Sequence, residues 1–137
     1  MVERNFKPLL QELYVDDPWK VLVVCLMLNC TRRAQVDCII DDFFRTWPTA
    51  PRFLEADDDA VKVAIKSLGF CNRRTNALKR MSAAYVAGGW TDIREVPGVG
   101  EYAARAYEMF ILSKMGDVEP KDHALSKFWR YVVKGEQ

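Results

Sequence analysis

No stretch of this sequence alternates apolar and polar residues with a period of two, whereas apolar residues recur at helical spacing almost throughout. That periodicity predicts an all-α chain of roughly eight to ten short helices joined by short loops. Phe6, Leu9, Leu10 and Leu13 step around one face of a first helix. Asp17-Pro18 is a capped start, with Pro18 at the first helical position of a helix running from Trp19 to about Asn29. That helix is apolar on most sides and is expected at the centre of the fold. Further helices are predicted over 34–47, with Val36, Ile39, Ile40, Phe43 and Phe44 inward, over 51–56, and over 58–68, stopped by Gly69. Three more are predicted: 73–86, stopped by Gly88-Gly89; 101–114; and 124–133, capped by Asp122.

The chain has 137 residues, half of them apolar, enough for one domain with a sizeable core. Its net charge is only +1, so total charge does not announce a nucleic-acid partner. Local clustering matters more. Basic residues gather at Arg32-Arg33, Arg73-Arg74 and Lys79-Arg80, while acids gather at Asp16-Asp17, Asp41-Asp42 and Asp57-Asp58-Asp59. Such segregation can present a positive face, although scattered solvated charge reads equally well. The four cysteines contain no Cys-x-x-Cys pair, and Cys25 sits in the apolar run 21–28 as a buried free thiol. No disulfide framework and no side-chain metal site are expected. The run 21–28 is too short to span a bilayer and no signal peptide is evident, so a soluble, intracellular monomer without a membrane partner is expected.

The segment most suggestive of chemistry is Val96-Pro97-Gly98-Val99-Gly100, followed on the next element by Asp122-His123. Pro97 fixes φ, and Gly98 and Gly100 permit a tight path into the helix that follows. A glycine turn opening a helix presents bare N–H groups to an anion, and nucleic-acid phosphate is the expected anion. An ordinary turn between helices is the plainer reading. Asp122 likewise reads as a simple N-cap, or as a carboxylate held beside whatever the turn grips. Both can hold together, because a helix N-terminus favours the ionised carboxylate.

Taken in order and spacing, Leu10-Gln11-Glu12, Asp17-Pro18-Trp19-Lys20, Leu28-Asn29-x-Thr31, Leu68-Gly69, Gly98-x-Gly100-x-Tyr102 and Asp122-His123 resemble the helix-hairpin-helix DNA glycosylase superfamily. The likeness runs from about Phe6 to Tyr131. It is strongest to the endonuclease III-like branch containing the glycosylase domain of methyl-CpG-binding domain protein 4. The resemblance implies two helical lobes with a cleft between them, one of about 18–95 and one of about 1–17 plus 96–137. It implies a monofunctional enzyme of base excision repair that flips a mispaired or modified thymine- or uracil-type base from double-stranded DNA and releases it with water. Two other uses of the scaffold stay open: a transferase that modifies thymine in hypermodified DNA, and a DNA-binding module without chemistry.

In this reading Asp122 is catalytic, stabilising the oxocarbenium-like state of the sugar. Tyr102 stands where strand-nicking relatives carry the lysine that forms a Schiff base, which implies no lyase step. The base pocket would comprise Gln11, Asn29, Tyr102 and His123, with Phe70 as the wedge that holds the duplex open. Tyr102 and Phe70 also read as core aromatics, Gln11 as an exposed helix residue, and His123 as a structural neighbour of Asp122. Val96, Gly98, Val99, Gly100, Arg32 and Arg73 would bind the DNA backbone. The carbonyls of Val96 and Val99 would hold a K+ or Na+ ion. The cysteine spacing of an iron–sulfur cluster is absent, so no cofactor is expected. Cys30 and Ala124 depart from that branch, which has arginine and lysine there; both changes would remove positive charge near the DNA.

Overall fold

Asp17 and Pro18 begin the helix around which the rest of the chain is packed. In the computed structural model, which describes residues 4–136, α1 spans Pro18–Leu28. The Asp17 carboxylate accepts from the N–H groups of Trp19 (3.1 Å) and Lys20 (3.4 Å), while Pro18 has no N–H to leave unpaired. Trp19, Val21, Leu22, Val23, Val24, Cys25 and Met27 are all buried. A helix apolar on so many sides has to be wrapped. Around it lie the 3₁₀ turn Leu10–Tyr14, α2 (Arg33–Thr46), α5 (Cys71–Ala87) and α6 (Glu101–Phe110). The short α3 (Ala50–Leu54) and α4 (Asp58–Ala64) pack on α5. The final helix, α7 (His123–Val133), meets the end of α6 through Phe110 and Phe128, whose rings lie 4.7 Å apart. Among the described residues there is no strand, and the fold is all-α as the periodicity predicts.

The core is aromatic at one end. Trp19, Phe43, Phe44, Trp47 and Phe53 meet edge-on or tilted at centroid distances of 5.1–5.9 Å. Each such pair contributes about 0.5–1.5 kcal/mol beyond its area. The Trp19 indole N–H donates to Ser82 Oγ at 2.8 Å, so its one polar atom is satisfied inside the core.

Three expectations are corrected. The first helix is only the 3₁₀ turn Leu10–Tyr14, because Pro8 biases the chain before it toward extended backbone and Leu9 is itself extended (φ −64, ψ 152). Leu13, expected inward, is 61% exposed, while Leu9 and Leu10 are buried. The helix expected over 58–68 breaks at Ile65 (φ −106, ψ 10) and continues as the 3₁₀ turn Lys66–Leu68. The helix expected over 101–114 ends at Phe110; Ser113 is left-handed (φ 57) and turns Lys114 N–H back onto the Glu108 carbonyl. Residues 1–3 and 137 of the expected second lobe lie outside the described residues.

Two of the basic clusters also serve the fold. Lys79 Nζ donates to the carbonyls of Phe53, Leu54 and Ala56, closing the end of α3. Arg74 is nearly buried and ties α5 to the end of α1.

Candidate active site

Pro97 and Gly98 are the residues a type II turn requires at its two central positions. Gly98 has φ +85, and the Val99 N–H donates to the Val96 carbonyl at 3.1 Å to close the turn. A Cβ on Gly98 would also meet Leu26 Cδ2 at 3.4 Å. Gly98→Ala is therefore expected to lower stability by about 1–2 kcal/mol in chemical denaturation. Gly100 has ordinary backbone angles (φ −85, ψ −169) and open space where a Cβ would stand. Gly100→Ser, with a good N-cap residue, should stay within about 0.5 kcal/mol of the parent.

The turn delivers the chain to α6 with its leading amides unpaired. The N–H groups of Gly98, Gly100, Glu101 and Tyr102 have no acceptor among the described residues. They form an anion-binding edge where the helix dipole adds positive potential. The acid in this first turn, Glu101, is neutralised by a two-point ion pair with Arg94 at 3.0 Å. Arg94 also bonds Glu108, which sets the approach to the turn against α6. The expectation for Val96 and Val99 is corrected in part. Their side chains are buried, and their N–H groups are already taken by the Ile93 and Val96 carbonyls. Of their polar groups only the carbonyls remain for a ligand: that of Val96 already accepts from Val99 N–H, and that of Val99 accepts from no donor among the described residues.

Beside this turn is a cavity of about 400 Å³ lined by Leu9, Leu10, Gln11, Leu28, Asn29, Cys30, Thr31, Arg33, Tyr102, Asp122 and Ala124. Residues far apart in sequence meet here: the first 3₁₀ turn, the end of α1, the start of α6 and the cap of α7. Asp122 Oδ2 accepts from the Leu125 N–H at 3.0 Å, and Oδ1 has no partner among the described residues. The carboxylate is therefore fixed by one oxygen and leaves the other for chemistry. Gln11, 2% exposed, donates from Nε2 to Tyr102 Oη at 2.6 Å and to Cys25 Sγ at 3.6 Å. Its burial removes the reading of Gln11 as an exposed helix residue. Burial, with Cys25 and Asp122 nearby, holds the Tyr102 phenol above its ordinary pKa. Tyr102 is a neutral O–H, and since its oxygen already accepts from Gln11 its proton is left to donate.

Not every expected residue joins this cavity. His123 is exposed and lines a separate hollow with Glu119, Pro120, Lys121, Ser126, Lys127 and Arg130, so its place in the base pocket is corrected. It is the first residue of α7, next to the capping Asp122. Phe70 is 66% exposed, with φ 50, at the N-terminus of α5. The core reading of Phe70 therefore fails. The Arg73 guanidinium lies 5.4 Å from its ring. With Leu26, Met27, Asn29, Cys30, Arg74 and Gly98, both line a second cavity of about 280 Å³. Asn29 and Cys30 line both cavities. Arg32 is exposed at the start of α2 without an acidic partner among the described residues.

Sequence reading gave no site role to Arg33, whose Nη1 donates to the Pro8 carbonyl at 2.5 Å, or to Thr31, named only in the Leu28-Asn29-x-Thr31 piece; both are on the cavity wall. The placement of Arg33 depends on contacts between distant segments and has no local signal. Cys30 and Ala124, the two departures, also line this cavity.

Residues 23–132 match the family model described as HhH-GPD superfamily base excision DNA repair protein. A methyl-CpG-binding domain protein 4-like protein of Arabidopsis thaliana is 39% identical over 124 residues, 90% of this chain and 28% of that protein. A thymine/uracil-DNA glycosylase of Pyrobaculum aerophilum is 34% identical over 111 residues, 76% of this chain and 47% of that protein. The chain thus spans less than half the length of either relative. The solved structure of a thermostable thymine-DNA glycosylase superposes with a TM-score of 0.72 at 24% identity, over 80% of this chain and 54% of that one. At that identity the likeness is one of fold.

Proposed function

Because this chain belongs to the HhH-GPD superfamily of base excision DNA repair proteins, we propose that it is a DNA glycosylase releasing a mispaired or modified pyrimidine of the thymine or uracil type. The observation that carries this reading is the meeting of Asp122, Tyr102, Gln11 and Asn29 on one cavity beside a turn with unpaired amides. The likeness to a thymine/uracil-DNA glycosylase supports the choice of base.

The partner is duplex DNA, gripped at a phosphate by the amides of Gly98, Gly100, Glu101 and Tyr102. This grip carries no sequence information. The carbonyls of Val96 and Val99 suit a monovalent cation, which would steady the turn under phosphate. Phe70, exposed and stacked with Arg73, enters the duplex as the wedge. The extruded base occupies the cavity at an unstacking cost of a few kcal/mol, least for a mispair. As the glycosidic bond stretches, positive charge grows on the sugar. The free oxygen of Asp122 stabilises that charge and orients the attacking water.

The cavity holds no lysine; its one basic side chain, Arg33, is a guanidinium that cannot act as a nucleophile. This supports hydrolysis without strand cleavage. Lys121 lies in the adjoining hollow, which shares Tyr102 and Asp122 with the cavity.

Duplexes carrying T, U, oxidised or alkylated bases opposite each normal base supply the test. Incubation followed by hot alkali should reveal abasic sites at T or U mispairs and no cleavage before alkali. Borohydride should trap no covalent adduct. An adduct that disappears in Lys121→Ala would overturn the monofunctional reading. An altered base still in the strand would indicate transferase chemistry instead.

A further inference from the structure

The polar atoms of the cavity wall are arranged with a fixed sense. Gln11 uses both Nε2 protons inside the protein, one on Tyr102 Oη at 2.6 Å and one on Cys25 Sγ at 3.6 Å. What remains for a ligand is an acceptor, Gln11 Oε1, beside a donor, the Tyr102 O–H. Thymine and uracil present acceptor, donor, acceptor along the edge O4, N3–H, O2. Cytosine presents donor, acceptor, acceptor along N4, N3, O2. With the ring seated so that N3 faces Gln11 Oε1, this acceptor takes the N3–H of the first and meets N3 of the second lone pair to lone pair, while the Tyr102 O–H serves a neighbouring carbonyl.

Gln11 turns Nε2, and not Oε1, toward Cys25 Sγ. Tyr102 can donate to an oxygen or accept from a nitrogen, so by itself it permits either orientation. Cys25 lies on α1 beneath the cavity, 1% exposed and outside the cavity lining. We propose that Cys25 is a positioning residue: by accepting from Gln11 it turns Oε1 toward the base and sets the cavity to take the imide edge of thymine or uracil and refuse cytosine. Burial pushes the thiol up to about 12, so it stays neutral and never meets the base as a thiolate. The inference rests on the reading of the chain as a pyrimidine glycosylase and adds to it the origin of base choice.

Two variants separate packing from hydrogen bonding. Cys25→Val fills the space without an acceptor. Cys25→Ser keeps one, because a helical serine donates its own proton to the carbonyl one turn back, here Val21, and leaves lone pairs for Gln11. Release is measured from duplexes with 5-fluorouracil or 5-fluorocytosine, in which the same electron-withdrawing group eases departure of both bases. The parent should favour fluorouracil. Cys25→Val should lower that preference about 5–10-fold while Cys25→Ser keeps it. In the free protein, side-chain amide NMR should show both Gln11 Nε2 protons protected in the parent and in Cys25→Ser, and one losing protection in Cys25→Val. An unchanged preference in Cys25→Val, or unchanged protection, overturns the proposal. If the parent releases neither base, the glycosylase reading fails, and the NMR result still decides whether Cys25 holds the amide.

Discussion

Asp122→Asn is expected to lower base release by about 10³-fold or more while leaving the protein folded and bound to DNA. The substitution keeps size and hydrogen-bonding reach, and asparagine caps a helix as well as aspartate, so the bond to Leu125 N–H survives. What it removes is the negative charge on the oxygen with no partner among the described residues. A neutral amide gives little stabilisation to an oxocarbenium-like sugar. Single-turnover release of the base, set beside a gel-shift titration on the same duplex, separates the two effects. Release within tenfold of the parent would mean that Asp122 is only the cap of α7.

The second large effect concerns adjacent arginines that are alike in sequence and opposite in role. Arg74 Nε donates to the Gly69 carbonyl (2.9 Å), Nη1 to Met27 (3.2 Å) and Leu26 (3.5 Å), and Nη2 to Thr31 Oγ1 (2.6 Å). The carbonyls of Leu26 and Met27 are among those α1 leaves unpaired at its end, so the guanidinium serves as its C-terminal cap. Burial lowers the Arg74 pKa, but from so high a starting value that it stays charged. Arg74→Met should cost about 2–4 kcal/mol in urea denaturation, since several partners lose their bonds at once. It should also slow base release, because Thr31 and Asn29 on the cavity wall lose their support. Arg73→Met should change stability by less than about 0.5 kcal/mol. It should instead weaken DNA binding and make its log–log salt dependence shallower by about one unit. Equal destabilisation by the two substitutions would contradict this division.

Most of the helices were legible in the sequence because their causes are local. Asp17-Pro18 starts α1, Gly88 follows α5, Asp122 caps α7, and Pro97-Gly98 requires its turn. The misread ends fall at Pro8, Ile65 and Ser113, where residue type alone gives only a weak signal. The candidate site was legible in its members and less so in its composition. Asp122, Tyr102, Gln11 and Asn29 meet, whereas His123, beside Asp122 in the chain, faces another hollow. Adjacent residues at a helix start point in directions about 100° apart, and sequence proximity carries no information about which one faces inward.

By itself, then, the sequence determined the helical periodicity, the turn at Pro97-Gly98 and the residue types available for chemistry, since all of these follow from backbone stereochemistry and side-chain patterning over a few residues. Only the tertiary structure decided that Arg74 is a cap while Arg73 lies exposed over Phe70, that Phe70 is outside, and that Gln11 reaches Cys25. Those assignments depend on which surfaces α1 excludes from water when distant segments close around it. Burial is a property of the assembled fold, and no window of the chain contains it.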